Sequence, residues 1–374
     1  MKYYIIAGEA SGDLHGSNLI RALKKEQSDA EFRCWGGNLM QNAGGELVKH
    51  YKDLDFMGFI EVIANLKTIL GNIKFCKKDI EGYQPDAVIL IDYPGFNLRI
   101  AEFVKSLGIK VFYYISPQVW AWNQKRAYKF KRLIDQMFVI LPFEKEFYKK
   151  FDYEVEYVGH PLLDAIEKRD ISAERNKELR AELNLGDRPI VLLLPGSRKQ
   201  EINTILPIML KQSEHFPNYQ FVIGAAPSLD SDFFDRYKEQ YSNLKVVQNR
   251  TYDLFQLASA ALVTSGTATL ETALFDVPEV VCYKGSFVSY QIAKRLIKVE
   301  YISLVNLVMD REVVKELIQA QLNEKLLKEE LGKLLQDKAY RTKMLNNFEE
   351  LKTKLGGGGA SSKTAHLIAQ ATQQ

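Results

Sequence analysis

The chain has 374 residues, of which 46% are hydrophobic and 26% charged, and this length favours two domains. These proportions are those of a globular protein, so they exclude a disordered chain, a collagen and a coiled-coil fibre. The 50 Lys and Arg nearly balance the 47 Asp and Glu, and a net charge of only +3 does not indicate attraction of the whole molecule to nucleic acid.

Short apolar runs alternate with amphipathic stretches along most of the chain, which predicts βαβ units that wind parallel sheets. In the first half we expect strands at 3–7, 32–35, 87–91, 110–115, 136–141 and 155–158. In the second half we expect them at 190–194, 221–224, 245–247, 260–263 and 279–283. After about residue 310 only helical pattern remains, and a last short helix is predicted after Ser361 and Ser362, which suit an N-cap.

A domain boundary is expected after the Gly159-His160-Pro161 turn, where a strongly charged stretch follows. We predict an N-terminal Rossmann-like domain over 1–165 and a C-terminal one over 166–354, with a helix in 355–374 that returns to the first domain. Ligands of doubly wound sheets bind at the C-terminal ends of the strands. The residues that directly follow the predicted strands are therefore the candidate site residues.

The cysteines and the apolar runs bear on compartment. Cys34, Cys76 and Cys282 form neither a CxxC pair nor a Cys/His cluster, so a zinc site is not expected. The apolar run at 3–7 is shorter than a signal peptide, and no run approaches the roughly 18 residues that cross a bilayer. We expect a reduced, cytosolic protein that meets a membrane only from one side.

The first predicted strand ends in Gly8-Glu9-Ala10-Ser11-Gly12-Asp13, which carries two acids in one turn. Glycines at this spacing let the loop and the following helix come close to a ligand or to the sheet. Glu9 and Asp13 are both candidate general bases. Helix capping by Ser11 and Asp13 is the simpler interpretation of those two side chains.

Asp92 directly follows the predicted strand at 87–91. A carboxylate at the C-terminal end of a buried parallel strand is partly desolvated, which raises its pKa and suits it to general base catalysis. Capping of the next helix is a common alternative for an aspartate in this place. We expect Asp92 to be the catalytic base, with Glu9 and Asp13 as the alternatives.

A basic loop follows the predicted strand at 110–115. From Phe103 to Ile134 the chain has seven Lys or Arg and no acid, together with two of its three tryptophans. Such a patch fits a phosphorylated ligand, an anionic membrane surface or RNA. Trp122, Lys125 and Arg126 are its candidate binding residues.

Two turns in the second half have the composition of a phosphate site. One strand runs into Pro195-Gly196-Ser197-Arg198 and another is followed by Ser265-Gly266-Thr267, and a helical pattern follows each turn. Free N–H groups at a helix N-terminus attract anions, and a guanidinium group binds phosphate oxygens in a fork. Two such turns in one sheet predict a diphosphate. Neither GxxxxGK[ST] nor GxGxxG occurs, which disfavours a P-loop nucleotidase and a dinucleotide oxidoreductase.

Glu271 lies one helical turn beyond the second of these phosphate turns. In that place its carboxylate can accept hydrogen bonds from ribose hydroxyls. The alternative is an ordinary glutamate that complements the helix dipole.

Apolar residues recur at helical spacing from Phe59 to Ile73, with several lysines nearby. A helix of this kind normally packs into a core, but it can also lie in a bilayer interface. In the second case the membrane-contacting residues are Ile60, Ile63, Leu66, Ile69 and Leu70.

Seven motifs, in this order along the chain, resemble those of the lipid-A-disaccharide synthase family. They are Gly8–Asp13 (GEASGD), 91–97 (IDYPGFN), 116–122 (SPQVWAW), 141–144 (LPFE), 159–161 (GHP), 194–198 (LPGSR) and 265–271 (SGTATLE).

The resemblance implies a GT-B glycosyltransferase, with two Rossmann-like doubly wound domains that face each other across a cleft. The implied reaction joins UDP-2,3-diacylglucosamine to 2,3-diacylglucosamine 1-phosphate (lipid X), forming the β-1,6-linked lipid A disaccharide and UDP. It implies an inverting mechanism without a metal ion or a cofactor. The implied location is the cytoplasmic face of the inner membrane of a Gram-negative bacterium, where the enzyme is peripheral.

The resemblance also implies site roles. Asp92 would take the proton of the acceptor 6-hydroxyl. The donor would be held by Gly196, Ser197, Arg198, Ser265, Gly266, Thr267 and Glu271. The acceptor and its sugar would be held by Glu9, Ser11, Gly12, Asp13, Trp122, Lys125 and Arg126.

The sequence also bears on binding partners and on alternative functions. No nucleic-acid partner is expected, and the oligomeric state is left open between a monomer and a homodimer. The rivals are a UDP-sugar epimerase of the same fold and a non-catalytic nucleotide-binding or RNA-binding protein.

Overall fold

The computed structural model describes residues 1–54, 66–166, 170, 172–227, 229–241, 244–285 and 300–373. The chain forms two compact units. Unit 1 comprises Met1–Asp164 and Gly357–Gln374, and unit 2 comprises Ala165–Gly356. Each unit is built on one parallel sheet with helices in the connections, so the predicted two-domain α/β fold is confirmed.

Unit 1 contains a seven-stranded sheet in the order β3-β2-β1-β4-β5-β6-β7, and all of its strand pairs are parallel. Its central strands are apolar runs buried along their length, as expected when both faces of a parallel sheet are covered. In chain order the strands are β1 (Lys2–Ala7), β2 (Glu31–Gly36), β3 (Glu46–His50), β4 (Ala87–Ile91), β5 (Lys110–Tyr114), β6 (Gln136–Val139) and β7 (Glu156–Tyr157).

The described helices of unit 1 connect these strands, apart from the last two, of which one leads into unit 2 and the other follows unit 2 in the chain. They are α1 (Ala10–Glu26), α2 (Asn38–Asn42), a 3-10 turn (Tyr51–Asp53), α3 (Leu66–Tyr83), α4 (Pro94–Ser106), α5 (Val119–Trp122), α6 (Arg126–Leu133), α7 (Phe143–Lys149), α8 (Pro161–Ile166) and α17 (Ala360–Gln373).

Unit 2 contains a six-stranded parallel sheet in the order β10-β9-β8-β11-β12-β13. Leucine and valine side chains of its strands, such as Leu192, Val222 and Val263, form a core with Phe255 of a connecting helix. The strands are β8 (Ile190–Leu194), β9 (Gln220–Ala225), β10 (Lys245–Gln248), β11 (Ala258–Thr264), β12 (Glu279–Tyr283) and β13 (Lys315–Ile318).

The described helices of unit 2 continue the numbering. They are α9 (Ala173–Glu182), α10 (Lys199–His215), a 3-10 turn (Ser231–Phe234), α11 (Asp235–Gln240), α12 (Thr251–Leu257), α13 (Thr267–Leu274), α14 (Leu304–Met309), a 3-10 turn (Gln319–Gln321), α15 (Glu324–Gln336) and α16 (Lys338–Leu355).

Three sequence-based expectations are wrong. Strand β3 lies at the edge of the first sheet, although no strand was expected there. Strand β13 lies at the edge of the second sheet, although only helices were expected after residue 310. It is four residues long and begins with Lys315 and Glu316, so it lacks the apolar run that marks an inner strand. Helix α17 begins at Ala360, so Ser361 and Ser362 lie inside the helix and not at its N-cap.

Helix α17 is tied to unit 1 by polar contacts at both ends. At its start, Asp164 accepts hydrogen bonds from the backbone N–H groups of Gly359 and Ser361. Near its end, Thr372 shares a hydrogen bond with the Tyr3 hydroxyl of β1, 3.1 Å between the oxygens. The chain therefore leaves unit 1, builds unit 2 and then completes unit 1.

The strand order of each sheet reverses direction at one place. In unit 1 this place lies between β1 and β4, and in unit 2 it lies between β8 and β11. Ligands of open α/β sheets bind outside the carboxyl ends of the strands at such a point. The loops after these four strands are 8–9, 92–93, 195–198 and 265–266.

Candidate active site

Asp92 stands at the switch point of the unit 1 sheet. It follows β4, and Glu9 follows the paired strand β1, in which Ala7 lies opposite Ile91. Burial and, to a smaller extent, the negative charge of Glu9 together raise the pKa of the Asp92 carboxyl to about 7. Asp92 is thus a carboxyl group whose proton leaves near neutral pH, as a general base requires.

The backbone at Asp92 is unusual. Asp92 and Tyr93 have φ values of +44° and +50°, so two consecutive residues other than glycine lie in the left-handed region. At the end of the adjacent strand, Ile115 has φ +66°. Backbone strain of this kind concentrates at functional sites, where the surrounding structure holds it in place.

The absence of a side chain at Gly8 leaves room for the aromatic ring of Tyr93. A Cβ atom at position 8 would overlap that ring, so only glycine fits beneath it without a shift. The ring of Tyr93 also stacks on Phe96, with 5.5 Å between the ring centroids. Gly8, which follows β1, thus permits the conformation of the turn after β4.

Asp13 caps a helix, but not its own. Its carboxylate accepts hydrogen bonds from the backbone N–H groups of Gly37 (2.8 Å), Leu39 (3.1 Å) and Met40 (2.9 Å), at the start of α2. In the first turn of α1, Ser11 is exposed and Gly12 is buried. Of the two acids in this turn, Glu9 is the one whose charge raises the pKa of Asp92.

A buried glutamate that the sequence analysis did not assign to the site lies beside the loop after β5, which carries Trp120 and Trp122. Glu144 accepts hydrogen bonds from the backbone N–H groups of Leu141 (2.9 Å) and Ile140 (3.2 Å), and burial raises its pKa to about 8. Beside it, the hydroxyl groups of Ser116 and Tyr148 are 2.6 Å apart. The loop after β5 therefore rests on α7.

The three candidate residues of the loop differ in their setting. Trp122 ends α5, and its side chain lies outside the described part of the structure. Lys125 is exposed, and Arg126 is half-buried at the start of α6. Both basic residues thus stand at one helix terminus.

The two phosphate turns of unit 2 lie side by side at its switch point, because β8 and β11 are paired and Leu194 lies opposite Val263. Gly196 has φ +99°, a conformation that side chains other than glycine rarely adopt. Arg198 is exposed, and its guanidinium group lies 3.1 Å from the Glu201 carboxylate. This arrangement leaves the turn accessible for an anion.

The second turn presents the N-terminus of α13. Gly266 and Thr267 are exposed there, while the Ser265 hydroxyl donates a hydrogen bond to the backbone carbonyl of Ile302 at 2.8 Å. The neighbouring Thr264 hydroxyl is buried and has no hydrogen-bond partner in the described residues. Unpaired N–H groups at a helix start, beside an arginine, can bind a diphosphate.

Glu271 already has a protein partner. Its carboxylate accepts a hydrogen bond from the Tyr252 hydroxyl at 3.1 Å, and burial raises its pKa. A carboxylate has further lone pairs, so this contact leaves acceptor capacity for ribose hydroxyls. A glutamate that only complemented the helix dipole would not need this hydrogen bond from Tyr252.

The predicted membrane residues are only partly within the described structure. Ile60 and Ile63 lie outside it, and Leu66 is described only as the first residue of α3. Ile69 is half-buried, whereas 53% of Leu70 is exposed. Ile69 lies on the same helix face as a row of buried side chains that packs into unit 1, comprising Ile73, Cys76 and Ile80.

The described ranges contain neither a cluster of metal ligands nor a membrane-spanning helix. No group of three or more His, Cys, Asp or Glu there is arranged to hold a metal ion. None of the helices within those ranges is both long enough and apolar enough to cross a bilayer.

Sequence relatives cover nearly the whole chain. A family model described as lipid-A-disaccharide synthetase matches residues 3–371. The chain is 40% identical over 378 residues to the lipid-A-disaccharide synthase of Trichlorobacter lovleyi, covering 99% of this chain and 97% of the relative. It is 41% identical to that of Syntrophus aciditrophicus, covering 96% and 95%.

Solved structures with a similar fold are more distant in sequence. UDP-GlcNAc 2-epimerase from Neisseria meningitidis, bound to UDP-GlcNAc, matches with a TM-score of 0.71 at 15% identity, covering 99% of this chain and 100% of that one. Acinetobacter baumannii MurG matches with a TM-score of 0.58 at 14% identity, covering 99% of each chain. At these identities the likeness shows the fold alone.

Proposed function

The chain belongs to the lipid-A-disaccharide synthases, glycosyltransferases of lipid A biosynthesis with a GT-B fold, and on that premise we propose its substrates and the roles of its residues. The donor is UDP-2,3-diacylglucosamine and the acceptor is 2,3-diacylglucosamine 1-phosphate. The acceptor 6-oxygen forms a bond to the anomeric carbon of the donor while the bond to UDP breaks. The products are the β-1,6-linked disaccharide and UDP.

The observation that carries this proposal is the carboxyl group of Asp92. It lies at the switch point of unit 1, and burial together with Glu9 raises its pKa to about 7. In its ionised form Asp92 takes the proton of the 6-hydroxyl as the bond to the anomeric carbon forms. The negative charge of Glu9 keeps the proton affinity of Asp92 high.

Unit 2 binds the donor in this proposal. The N–H groups of the 196–198 turn and of the start of α13 hold the diphosphate, and Arg198 stabilises the charge that develops on UDP as it leaves. To do so, Arg198 exchanges its exposed contact with Glu201 for phosphate oxygens. Ser265, Gly266 and Thr267 line the same anion site, and Glu271 accepts hydrogen bonds from ribose.

Unit 1 binds the acceptor in this proposal. The loop from Glu9 to Gly12 shapes the sugar site, and Asp13 supports it by holding the start of α2. The acceptor 1-phosphate binds Lys125 and Arg126, with Trp122 in the same loop. Cations at one helix terminus suit a single phosphate group.

The enzyme is peripheral on the cytoplasmic face of the inner membrane in this proposal, because both substrates carry acyl chains. The outer face of α3 supports it, since exposed Leu70 and Phe75 lie there among Lys67, Lys74 and Lys78. Exposed apolar groups between lysines suit the surface of an anionic bilayer. Ile60, Ile63 and Leu66 are assigned to the same contact, whereas Ile69 lies on the face that packs into unit 1.

Vesicle flotation tests the membrane contact. Replacing Leu70 and Phe75 together by Ser is expected to release the protein from vesicles that contain phosphatidylglycerol, with the fold retained. The matched control is Leu107→Ser, which changes another exposed leucine of unit 1. Unchanged flotation of the double variant would refute this contact.

The transfer reaction is tested by measuring UDP release in detergent with and without the lipid acceptor. We expect release that requires the acceptor, and a loss of roughly 100- to 10,000-fold in Asp92→Asn with UDP affinity retained. The matched control is Asp86→Asn, which changes an exposed aspartate just before the start of the same strand. Epimerisation of the UDP-sugar without acceptor, or full activity of Asp92→Asn, would contradict the proposal.

The RNA-binding alternative gives a different result in the same experiment. A non-catalytic nucleotide-binding or RNA-binding protein would bind equally well with and without the Asp92 carboxylate and would release no UDP. Measured binding of UDP together with acceptor-dependent turnover therefore separates the two functions.

A further inference from the structure

The residues of the turn that carries Asp92 do not favour its backbone conformation by themselves. Asp92 and Tyr93 both have left-handed φ values, and neither residue is a glycine. A tyrosine rarely adopts this conformation unless other contacts impose it. Contacts from outside the turn must therefore hold it.

Two side chains from different elements supply those contacts. The side-chain amide of Asn97, in the first turn of α4, donates hydrogen bonds to the backbone carbonyls of Ile91 (3.2 Å) and Asp92 (2.6 Å). The hydroxyl of Tyr113, in the neighbouring strand β5, donates a hydrogen bond to the carbonyl of Asp92. These carbonyls belong to the peptide groups on either side of Asp92.

Because a peptide group is planar, fixing the direction of a carbonyl also fixes the N–H that follows it. The two hydrogen bonds of Asn97 thus fix both peptide planes between which the Asp92 side chain projects. Asn97 is fully buried, and Tyr113 is fully buried as well. Buried polar groups of this kind are seldom free to exchange partners, because an unpaired buried group is costly.

From this geometry, and resting on the proposed function of Asp92, we propose that Asn97 and Tyr113 are positioning residues that hold the left-handed turn and thereby aim the Asp92 carboxylate at the acceptor hydroxyl. Neither residue transfers a proton in this scheme. Their effect on the reaction passes entirely through the direction and the burial of Asp92.

The test replaces each donor and follows Asp92 directly. In Asn97→Ala the turn relaxes, the carboxylate gains access to water, and the pKa of Asp92 is expected to fall from about 7 by roughly one unit. The measurement is a carbon-13 NMR titration of labelled aspartate carboxyls, in which Asp92→Asn identifies the signal. In the UDP-release assay, kcat is expected to fall about 10- to 100-fold while the KM for the donor changes little.

Tyr113→Phe is the milder variant. It keeps the ring, which packs edge-on against Phe130 with 5.3 Å between centroids, and removes only the hydroxyl. We expect the same direction of change with a smaller size. If Asn97→Ala does not fold, Tyr113→Phe decides the question.

The control is Thr364→Ala, which removes another fully buried hydrogen-bonding side chain of unit 1. It is expected to lower stability without moving the Asp92 titration. An unchanged Asp92 titration together with unchanged kcat in the Asn97 or Tyr113 variant would overturn the inference. An inactive wild type would instead refute the proposed reaction, and the NMR titration would still report whether Asn97 holds the turn.

Discussion

At the scale of single residues, Asp92 combines two influences that act in the same direction on its proton affinity. Burial is the larger influence and the charge of Glu9 the smaller one, and together they raise the pKa to about 7. Because a general base works only when ionised, kcat/KM is expected to rise with pH through about 7 and then to level off. In Glu9→Gln the rise should occur at lower pH, since one negative charge is gone. A profile of kcat/KM against pH checks both statements.

The control for this profile is Asp86→Asn, which leaves the surroundings of Asp92 unchanged and should leave the rise where it is. If Glu9→Gln also left it in place, the charge of Glu9 would not reach Asp92.

Glu279 is a second residue whose burial predicts a measurable effect, this time on stability. It is fully buried in β12, neither carboxylate oxygen has a hydrogen-bond partner in the described residues, and burial together with the charge of Glu316 raises its pKa well above the ordinary value. The folded protein therefore binds this proton more tightly than the unfolded chain does. The contribution of Glu279 to stability is highest below the unfolded pKa of about 4.3 and falls as pH rises towards the folded value.

Glu279→Gln has no carboxyl proton to release and should remove this pH dependence. We expect the variant to unfold at a higher temperature than the wild type in mildly alkaline solution, and the difference to shrink in acid. Thermal unfolding at both pH values measures it. A constant difference between the two proteins at all pH values would show that the proton on Glu279 is not involved.

At the scale of elements, Asp13 joins two helices. It projects from α1 and accepts three backbone N–H groups at the start of α2. Hydrogen bonds to a charged group contribute about 1.5–3 kcal/mol each and are not additive, so Asp13→Ala is expected to lower the free energy of unfolding of unit 1 by about 3 kcal/mol. Urea unfolding measures this change. Ser11→Ala, an exposed change in the same turn, should stay within about 0.5 kcal/mol, and an equally small effect of Asp13→Ala would contradict the capping role.

The inner strands could be predicted because their sequences are short, almost entirely apolar runs. β4, β8 and β12 are five-residue runs that are apolar throughout or nearly so, and their predicted bounds match the structure. The edge strands β3 and β13 were missed because they are partly exposed and carry charges, which protect an edge from pairing but erase the apolar signal. The start of α17 was misplaced because its N-terminal N–H groups are capped by Asp164, which lies far away in the sequence.

The same distinction applies to the candidate site. The positions of Asp92, Arg198 and the 265–267 turn follow from the rule that ligands meet the ends of strands, and this rule needs only the sequence. Asn97 acts through contacts that only the fold creates. An asparagine in the first turn of a helix gives no sign that its amide will reach the carbonyls of the preceding strand.

At the scale of the whole molecule, the return of α17 makes the stability of unit 1 depend on a segment that follows unit 2. Ile368 is fully buried in this helix. Ile368→Ala is expected to lower the free energy of unfolding of unit 1 by about 2–5 kcal/mol through the cavity that it leaves, with unit 2 unaffected. Hydrogen exchange, read separately for the two units, tests this.

The matched control is Gln370→Ala on the exposed face of the same helix. It should change protection little in either unit. Equal loss of protection in unit 2 after Ile368→Ala would mean that the two units do not unfold separately.

The path of the chain also sets an order of events during synthesis. Unit 2 is one continuous segment, whereas unit 1 is interrupted and still lacks α17 when residue 356 leaves the ribosome. Domains generally fold as units while translation proceeds. The unit that carries Asp92 is therefore finished last, so a ribosome stalled just after residue 356 has emerged would hold a complete unit 2 and a unit 1 that still lacks α17.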